Sequence, residues 1–287
     1  MSGRVRPDLS IVLPAFNEEE RVGLAIGAAV AFGARRGRCL EILVVDDGSV
    51  DGTAAAARAC RARVADLRVL AHATNRGKGA AVRTGMLAAR GAHVLFADVD
   101  LSTSFEAYDA LWREHVRGHD VVIASRDAPG ARRVVPQPWH RRAMGRAFAH
   151  LRGHLVLPGF RDTQCGFKSF TAAAAQRLFR LARLDGFCFD VEVLALARHL
   201  GLSVAEVGVP WTDDPRSSVA PVRDGLRALA DLAHLRRHLR RLGAQGVPAV
   251  TTGRAAAPGA TDAGGGDPAY SAVPGGAHAA FDDPGGR

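Results

Sequence analysis

Apolar residues follow two alternating rhythms over the first 125 positions. The short, partly β-branched run Leu9–Phe16 stops at Pro14-Ala15-Phe16-Asn17 and predicts a buried strand. Glu18–Ala34 places Val22, Leu24, Ile26 and Val30 among small residues, with acids in its first turn. It predicts a helix that Gly33 and Gly37 end. Further strands are predicted at Glu41–Val45, Leu67–Ala71, His93–Ala97 and Asp120–Ser125. Between them come an Ala-rich helix led by Asp51-Gly52-Thr53 and running to about Arg63, then helices over Ala80–Ala89 and Phe105–Val116. Such alternation implies βαβ units and a mostly parallel α/β sheet flanked by helices. Ligands of these sheets sit at the carboxyl ends of the strands. Asn17-Glu18, Asp46-Asp47, Asn75–Lys78 and Asp98/Asp100 all fall there, which predicts a nucleotide-type crevice.

The second half reads differently. Pro129–Arg161 is irregular, with Pro136, Pro138 and Pro158; it holds Arg132, Arg133, Arg141, Arg142, Arg146, Arg152 and Arg161 and no acid. Asp162–Phe170 is compact and polar-aromatic. Helices are predicted at Ala172–Leu184 and Asp190–Leu200, a strand at Val204–Val209 and a basic helix at Pro221–Leu242. From about Gly246 the chain is Gly/Ala/Pro/Asp-rich with almost no large apolar residues, which predicts a disordered tail. The expected organisation is a flexible start (1–8), a nucleotide-binding half (9–127) and a second half (128–220) of one domain, a basic amphipathic helix (221–243) and a tail (244–287).

Composition narrows the classes. Of 287 residues 47% are hydrophobic and 23% charged, as in a folded soluble protein and unlike a collagen or a wholly disordered chain. Lys plus Arg is 38 against 29 Asp plus Glu, a formal charge of +9. That excess points to an anionic partner: nucleic acid, phospholipid or phosphate ester. Few aromatics are interleaved with the basic residues, and acidic strand ends would repel a phosphate backbone, so nucleic acid is not expected. Cys39, Cys60, Cys165 and Cys188 form no CxxC pair and read as reduced thiols of a cytosolic chain. The first ten residues lack the apolar core of a signal peptide. Leu24–Ala34 falls far short of the ~20 residues that span a bilayer. Any membrane contact is then peripheral, at the inner face.

Several clusters can carry chemistry. Asp98-Val99-Asp100 ends an apolar strand and can hold a hard divalent cation such as Mg²⁺ or Mn²⁺ together with substrate phosphate, or can cap the next element. Asp46-Asp47-Gly48-Ser49 reads either as a turn with a helix cap or as an acceptor for a base N–H. Asn75-Arg76-Gly77-Lys78-Gly79 opens a helix and suits an anion, or is a solvated glycine turn; it is not a Walker loop. Cys165 and Trp112 read as core; Trp139 and Trp211 read as core or as stacking platforms. On the basic helix, Leu226, Leu229, Ala230, Ala233 and Leu239 can form an apolar stripe beside Arg227, Arg236, Arg237, Arg240 and Arg241, a candidate for docking on anionic lipid.

Taken in order, PAFNEEE, VVDDGSVDGT, NRGKGAAVRTG and ADVDLST resemble family 2 glycosyltransferases of the GT-A fold. DTQCGFKSF, FCFDVEVLALA and VGVPW resemble the dolichyl-phosphate β-glucosyltransferase branch and its bacterial polyprenyl-phosphate relatives. The resemblance covers about residues 8–240. It implies inverting transfer of a hexose, glucose foremost, from a nucleotide sugar such as UDP-glucose to a polyprenyl phosphate, with Mg²⁺ or Mn²⁺. GDP-mannose as donor and a soluble acceptor are the alternatives. It implies that Pro14, Ala15, Asn17 and Glu18 line the nucleotide pocket, that Asp46 meets the base and Asp47 the ribose, and that Lys78 with Gly79 approaches the nucleotide. Asp98 would lie by the ribose or sugar and share the metal with Asp100. Asp162, Gln164 and Lys168 would face the sugar and acceptor phosphate. Asp190 and Glu192 would stand near the reaction centre, with Trp211 and Arg216 on the acceptor side. Asp162, Asp190 and Lys168 are thus the candidate catalytic residues, with orienting and proton-accepting roles left open for the acids.

Overall fold

A computed structural model describes residues 6–64, 66–133, 157, 159–212 and 221–244, with backbone alone at 63, 221–229 and 244. The start of the chain before Arg6, most of the arginine-rich stretch with Trp139, the segment holding Arg216, and the tail lie outside the described residues.

The strands are β1 (Leu9–Ala15), β2 (Leu40–Asp46), β3 (Leu67–Ala71), β4 (His93–Ala97), β5 (Val121–Ser125), β6 (Arg132–Arg133), β7 (Phe167–Thr171), β8 (Val204–Gly208) and β9 (Pro210–Trp211). The helices are α1 (Glu19–Arg36), α2 (Thr53–Ala59), α3 (Lys78–Ala88), α4 (Tyr108–Val116), α5 (Ala172–Leu181), α6 (Phe189–His199) and α7 (Pro221–Ala244). Seven strands form one sheet in the order β3-β2-β1-β4-β7-β5-β8. β7 runs antiparallel between β4 and β5, and the other pairs are parallel. The short β6 and β9 pair with each other.

Period-two alternation divides the strands between two cores. Ile11, Leu13, Ile42, Val44 and Leu95 face the layer that holds α1 and α4, with Phe32, Phe105 and Tyr108. Val12, Leu43, Val45, Val94 and Phe96 face the layer of α3, α5, α6 and α7. The result is helix–sheet–helix, the mostly parallel α/β architecture the sequence predicts.

Three boundaries differ, each for a local reason. Gly33 does not end α1; it lies inside it, where a Cβ would come 2.4 Å from Leu40 Cδ1. The terminator is Gly37, left-handed at φ 57°. α3 begins at Lys78, two residues early. α5 stops at Leu181, because the N–H groups of Arg183 and Leu184 donate to Glu192 instead of continuing the helix. β7 itself was not expected, since FKSFT shows no apolar run. Its buried Lys168 and Ser169 are matched by Asp190 and His115.

α7 also departs from its expected face. Leu232, Leu235 and Leu242 are buried in the core, with Leu239 packed against it, while Ala230 and Ala233 are exposed. Its described outer face is basic, with Arg236, Arg237, Arg240 and Arg241 exposed, while the side chains of Leu226, Arg227 and Leu229 lie outside the described residues. Among the described residues no helix is long and apolar enough to cross a membrane.

Candidate active site

The carboxyl ends of β1, β2, β4 and β5 share one edge with the beginning of β7, because β7 is reversed. That reversal brings the Asp162–Lys168 block to the strand ends carrying Asn17, Asp46, Asp98 and Arg126. Backbone strain gathers here as well. Asn17 and Leu101, both at φ 55°, are the non-glycine residues at positive φ among those described, and each follows a strand of this edge. For leucine that conformation costs about 1–2 kcal/mol.

The β1 and β2 ends are stitched together. Asn17 N–H donates to Ser49 Oγ (2.9 Å), and its own Oδ1 accepts from Val50 N–H (3.0 Å). Glu18 N–H donates to Thr53 Oγ1 (2.7 Å), and the Glu18 carboxylate pairs with Arg21 (2.5 Å). Pro14 is half-buried; Ala15 is buried, its carbonyl accepting from Asp47 N–H (2.8 Å). Asp46 accepts from Ser49 N–H (3.1 Å) through Oδ1. Asp47 is engaged by the protein's own main chain. Its Oδ1 accepts from Arg76 N–H (3.0 Å) and its Oδ2 from Gly77 N–H (2.7 Å), so it organises the loop before α3.

That loop is also not the open phosphate cradle its glycines suggest. Gly79 and Ala80 donate their N–H groups to the carbonyl of Asp185 (2.7 and 3.3 Å). A Cβ on Gly77 would sit 2.4 Å from the Asp185 oxygen, and one on Gly79 2.4 Å from that of Leu184. The glycines admit the protein's own backbone. Glu192 holds the same 183–184 turn through Oε2, and its Oε1 is buried without a partner among the described residues. Burial, above all, raises its pKa. Glu192 is therefore a brace for the 183–184 turn.

Only Lys78 reaches forward. The chain has two lysines against 36 arginines, and both converge here. Lys78 Nζ pairs with Asp98 (2.7 Å to Oδ1, 2.9 Å to Oδ2), and Lys168 Nζ pairs with Asp190 (2.5 Å). The two ammonium groups lie 5.5 and 5.6 Å from the centroid of the Phe96 ring. The first pair is open, at 24% and 29% side-chain exposure; the second is closed, at 1% and 5%. Lys168 also donates to the Cys165 carbonyl (2.6 Å), which makes it a buried brace for Asp190 and not a group facing a sugar. Burial raises the pKa of Asp190 against the pull of Lys168 and Lys78. Burial would lower that of Lys78, but Asp98, Asp190 and Asp100 outweigh it and raise it. The Asp98 carboxylate occupies the place a Cβ on Gly166 would take, so the glycine lets the ADVD and DTQCGFK blocks approach closely.

With Asp98 engaged by Lys78, Asp100 is the carboxylate left for a cation. Its Oδ1 accepts from Ser102 N–H (2.9 Å), and no ion pair to it occurs among the described residues. Burial and then the neighbouring Asp98 raise its pKa, the electrostatic setting a cation would relieve. Among the described residues no three His, Cys, Asp or Glu side chains converge as a closed metal cage. The donor set thus fits one hard cation held by Asp100 and completed by ligand oxygens.

Asp162 is saturated. Arg126 grips it with Nε (2.7 Å) and Nη2 (2.9 Å), and the N–H groups of Arg126 and Gln164 add 3.0 Å bonds. Burial would raise its pKa, but Arg126 outweighs this and holds it at about 2. It cannot serve as a base near neutral pH and instead shapes the turn that presents the exposed Gln164. Arg126 also lies over the Trp211 ring (5.4 Å to the centroid), and Trp211, only 8% exposed, belongs to this packing and not to an open stacking face. Cys165 and Cys188 are buried, their thiols pushed up to about 12, mainly by burial.

Arg126, His72 and the Asp185 carbonyl are the contributors that sequence reasoning missed. The first had a signal, a basic residue directly after an apolar strand. A main-chain carbonyl has none.

A mostly parallel sheet with one reversed strand gathers these acids and lysines at one edge of an α/β fold; the family comes from the comparisons. Residues 10–179 match Glycosyl transferase family 2, and the chain belongs to that family. Among similar proteins are the dolichyl-phosphate beta-glucosyltransferases of Drosophila melanogaster (36% identical over 242 residues, 78% of this chain and 73% of the relative) and Homo sapiens (33% over 244 residues, 79% and 74%). That of Saccharomyces cerevisiae is 32% identical over 246 residues, 79% and 74%. Among solved structures, glucosyl-3-phosphoglycerate synthase from Mycobacterium tuberculosis in complex with Mn²⁺ and UDP-glucose superposes with a TM-score of 0.56 at 20% identity, covering 79% of each chain. Mannosyl-3-phosphoglycerate synthase from Rubrobacter xylanophilus gives 0.56 at 23%, covering 84% of this chain and 76% of that one. These likenesses establish the GT-A fold.

Proposed function

We propose that this glycosyltransferase moves glucose from UDP-glucose to a polyprenyl phosphate with inversion, aided by Mg²⁺ or Mn²⁺. The observation that carries the reading is the convergence of the two lysines and their aspartates on one strand edge, in a chain similar to dolichyl-phosphate beta-glucosyltransferases along most of its length. On this reading Asp46 accepts from the base. Lys78, steered by Asp98, faces the donor diphosphate. Asp100 would hold the cation, which supplies Lewis-acid stabilisation of the departing diphosphate. A phosphate acceptor is anionic at neutral pH and needs no strong base. Asp190, braced by Lys168, then orients sugar or acceptor, and Gln164 lies at the rim. The basic outer face of α7 suits peripheral contact with an anionic membrane surface at about 1 kcal/mol per basic residue near it.

The test is transfer of radiolabelled sugar from UDP-glucose, and in parallel from GDP-mannose, to a short polyprenyl phosphate. Labelled lipid from UDP-glucose alone, lost with chelator and restored by Mn²⁺, is expected. Label from GDP-mannose alone, or metal-dependent UDP release without lipid product, would replace the donor or the acceptor in this reading.

A further inference from the structure

His72 lies outside every motif block, one residue past β3, yet its side chain is nearly enclosed. Its side chain is 8% exposed. Its N–H donates to the Asp46 carbonyl (2.9 Å), its Nδ1 lies 2.6 Å from Asp47 Oδ1, and its Nε2 lies 2.9 Å from Thr84 Oγ1 on α3. An ionised carboxylate only accepts, so Nδ1 carries the hydrogen; in the neutral ring Nε2 then accepts from the Thr84 hydroxyl. The ring fixes the Asp47 carboxylate from the side, and that carboxylate fixes two consecutive main-chain N–H groups, Arg76 and Gly77, immediately before Lys78. The loop has little slack. Gly48 lies flush with it, a Cβ there falling 2.4 Å from the Thr74 carbonyl carbon, and Gly77 is flush with Asp185 on the other side.

We infer that His72 is a positioning residue for the donor loop, acting through Asp47 on the Arg76–Gly77 backbone and so on the approach of Lys78 to Asp98. The inference rests on the reading of Lys78 as a donor contact. Asp47 with a free side rotates, the two N–H groups lose a fixed acceptor, and Lys78 is presented from a looser base.

Two substitutions separate the halves of the ring. His72→Asn keeps an N–H donor where Nδ1 stands, toward Asp47. His72→Gln places its amide near Nε2, toward Thr84. In the full-length protein His72→Gln should raise the UDP-glucose KM about tenfold with kcat within about twofold, the scale of one charge-assisted hydrogen bond. Hydrogen exchange at Arg76 and Gly77 should accelerate in parallel. His72→Asn should restore both. A folded His72→Gln with unchanged KM and unchanged exchange, or Asn behaving worse than Gln, overturns the inference. If the wild type binds no UDP-glucose while exchange still follows the expected order, the donor reading fails and the loop lock stands.

Discussion

Lys168 shows how a residue can be found by sequence and misassigned by it. A lysine within a polar-aromatic block reads as a ligand contact, but its ammonium is enclosed by Asp190 and the Cys165 carbonyl. Removing one member of such a pair leaves a buried, uncompensated charge and costs about 3–5 kcal/mol, whereas replacing both by apolar groups is often near neutral. Lys168→Met should therefore destabilise strongly, and Lys168→Met with Asp190→Leu should recover most of that loss in urea unfolding while transfer stays abolished. Recovery of transfer along with stability would remove Asp190 from the reaction. The clusters ending β1, β2 and β4 were legible because acids and amides after apolar runs are conspicuous. What each one touches was not legible, since Asp47, Glu192 and Asp162 direct their oxygens to main-chain N–H groups or to Arg126, partners without a sequence signature of their own.

At the scale of elements, five strands and the helices between them follow from hydrophobic rhythm alone, because β1, β2, β4 and β5 bury both faces and the edge strand β3 keeps a short apolar run. β7 escapes the same reading because two of its five residues are a lysine and a serine, made burial-compatible by Asp190 on α6 and His115 on α4. The seam between the start of α3 and the Leu184–Asp185 turn is equally silent. Its glycines read as a phosphate loop, yet they are required by a carbonyl. Gly79→Ala should cost about 1–3 kcal/mol by overpacking, since the clash is with backbone that cannot swing aside. Gly77→Ala adds the penalty of φ 103° and ψ 156°, a region that glycine alone populates, about 1–3 kcal/mol more. Chemical unfolding of both variants checks the order; equal stabilities would mean that the seam opens to accommodate a methyl group.

For the whole molecule, acid should act in two windows. His93, at the amino end of β4, lies against the rings of Trp112 (4.8 Å between centroids) and His115 (4.7 Å). Burial, then His115, Arg38 and Arg6, push its pKa down to about 4. A depressed histidine contributes stability that is complete above its unfolded value near 6.5 and is lost as pH falls toward 4, at most about 3 kcal/mol. Asp162, held at about 2, contributes stability that is complete above about 4 and is lost between there and 2, about 2 kcal/mol. Unfolding free energy measured from pH 8 to 2 should show both descents. His93→Phe should flatten the first and Asp162→Asn the second; a wild-type profile level from pH 7 to 4 would contradict the first assignment.

The reversed β7 has a consequence for ancestry and engineering. It comes from the second half of the chain yet separates β4 from β5 in the first, so the first 127 residues lack the strand that joins their own sheet. The first half is not a cassette. A graft meant to change nucleotide choice must carry β7 and its Asp190 counter-charge with it, and a split gene would yield two pieces that complete one sheet only together.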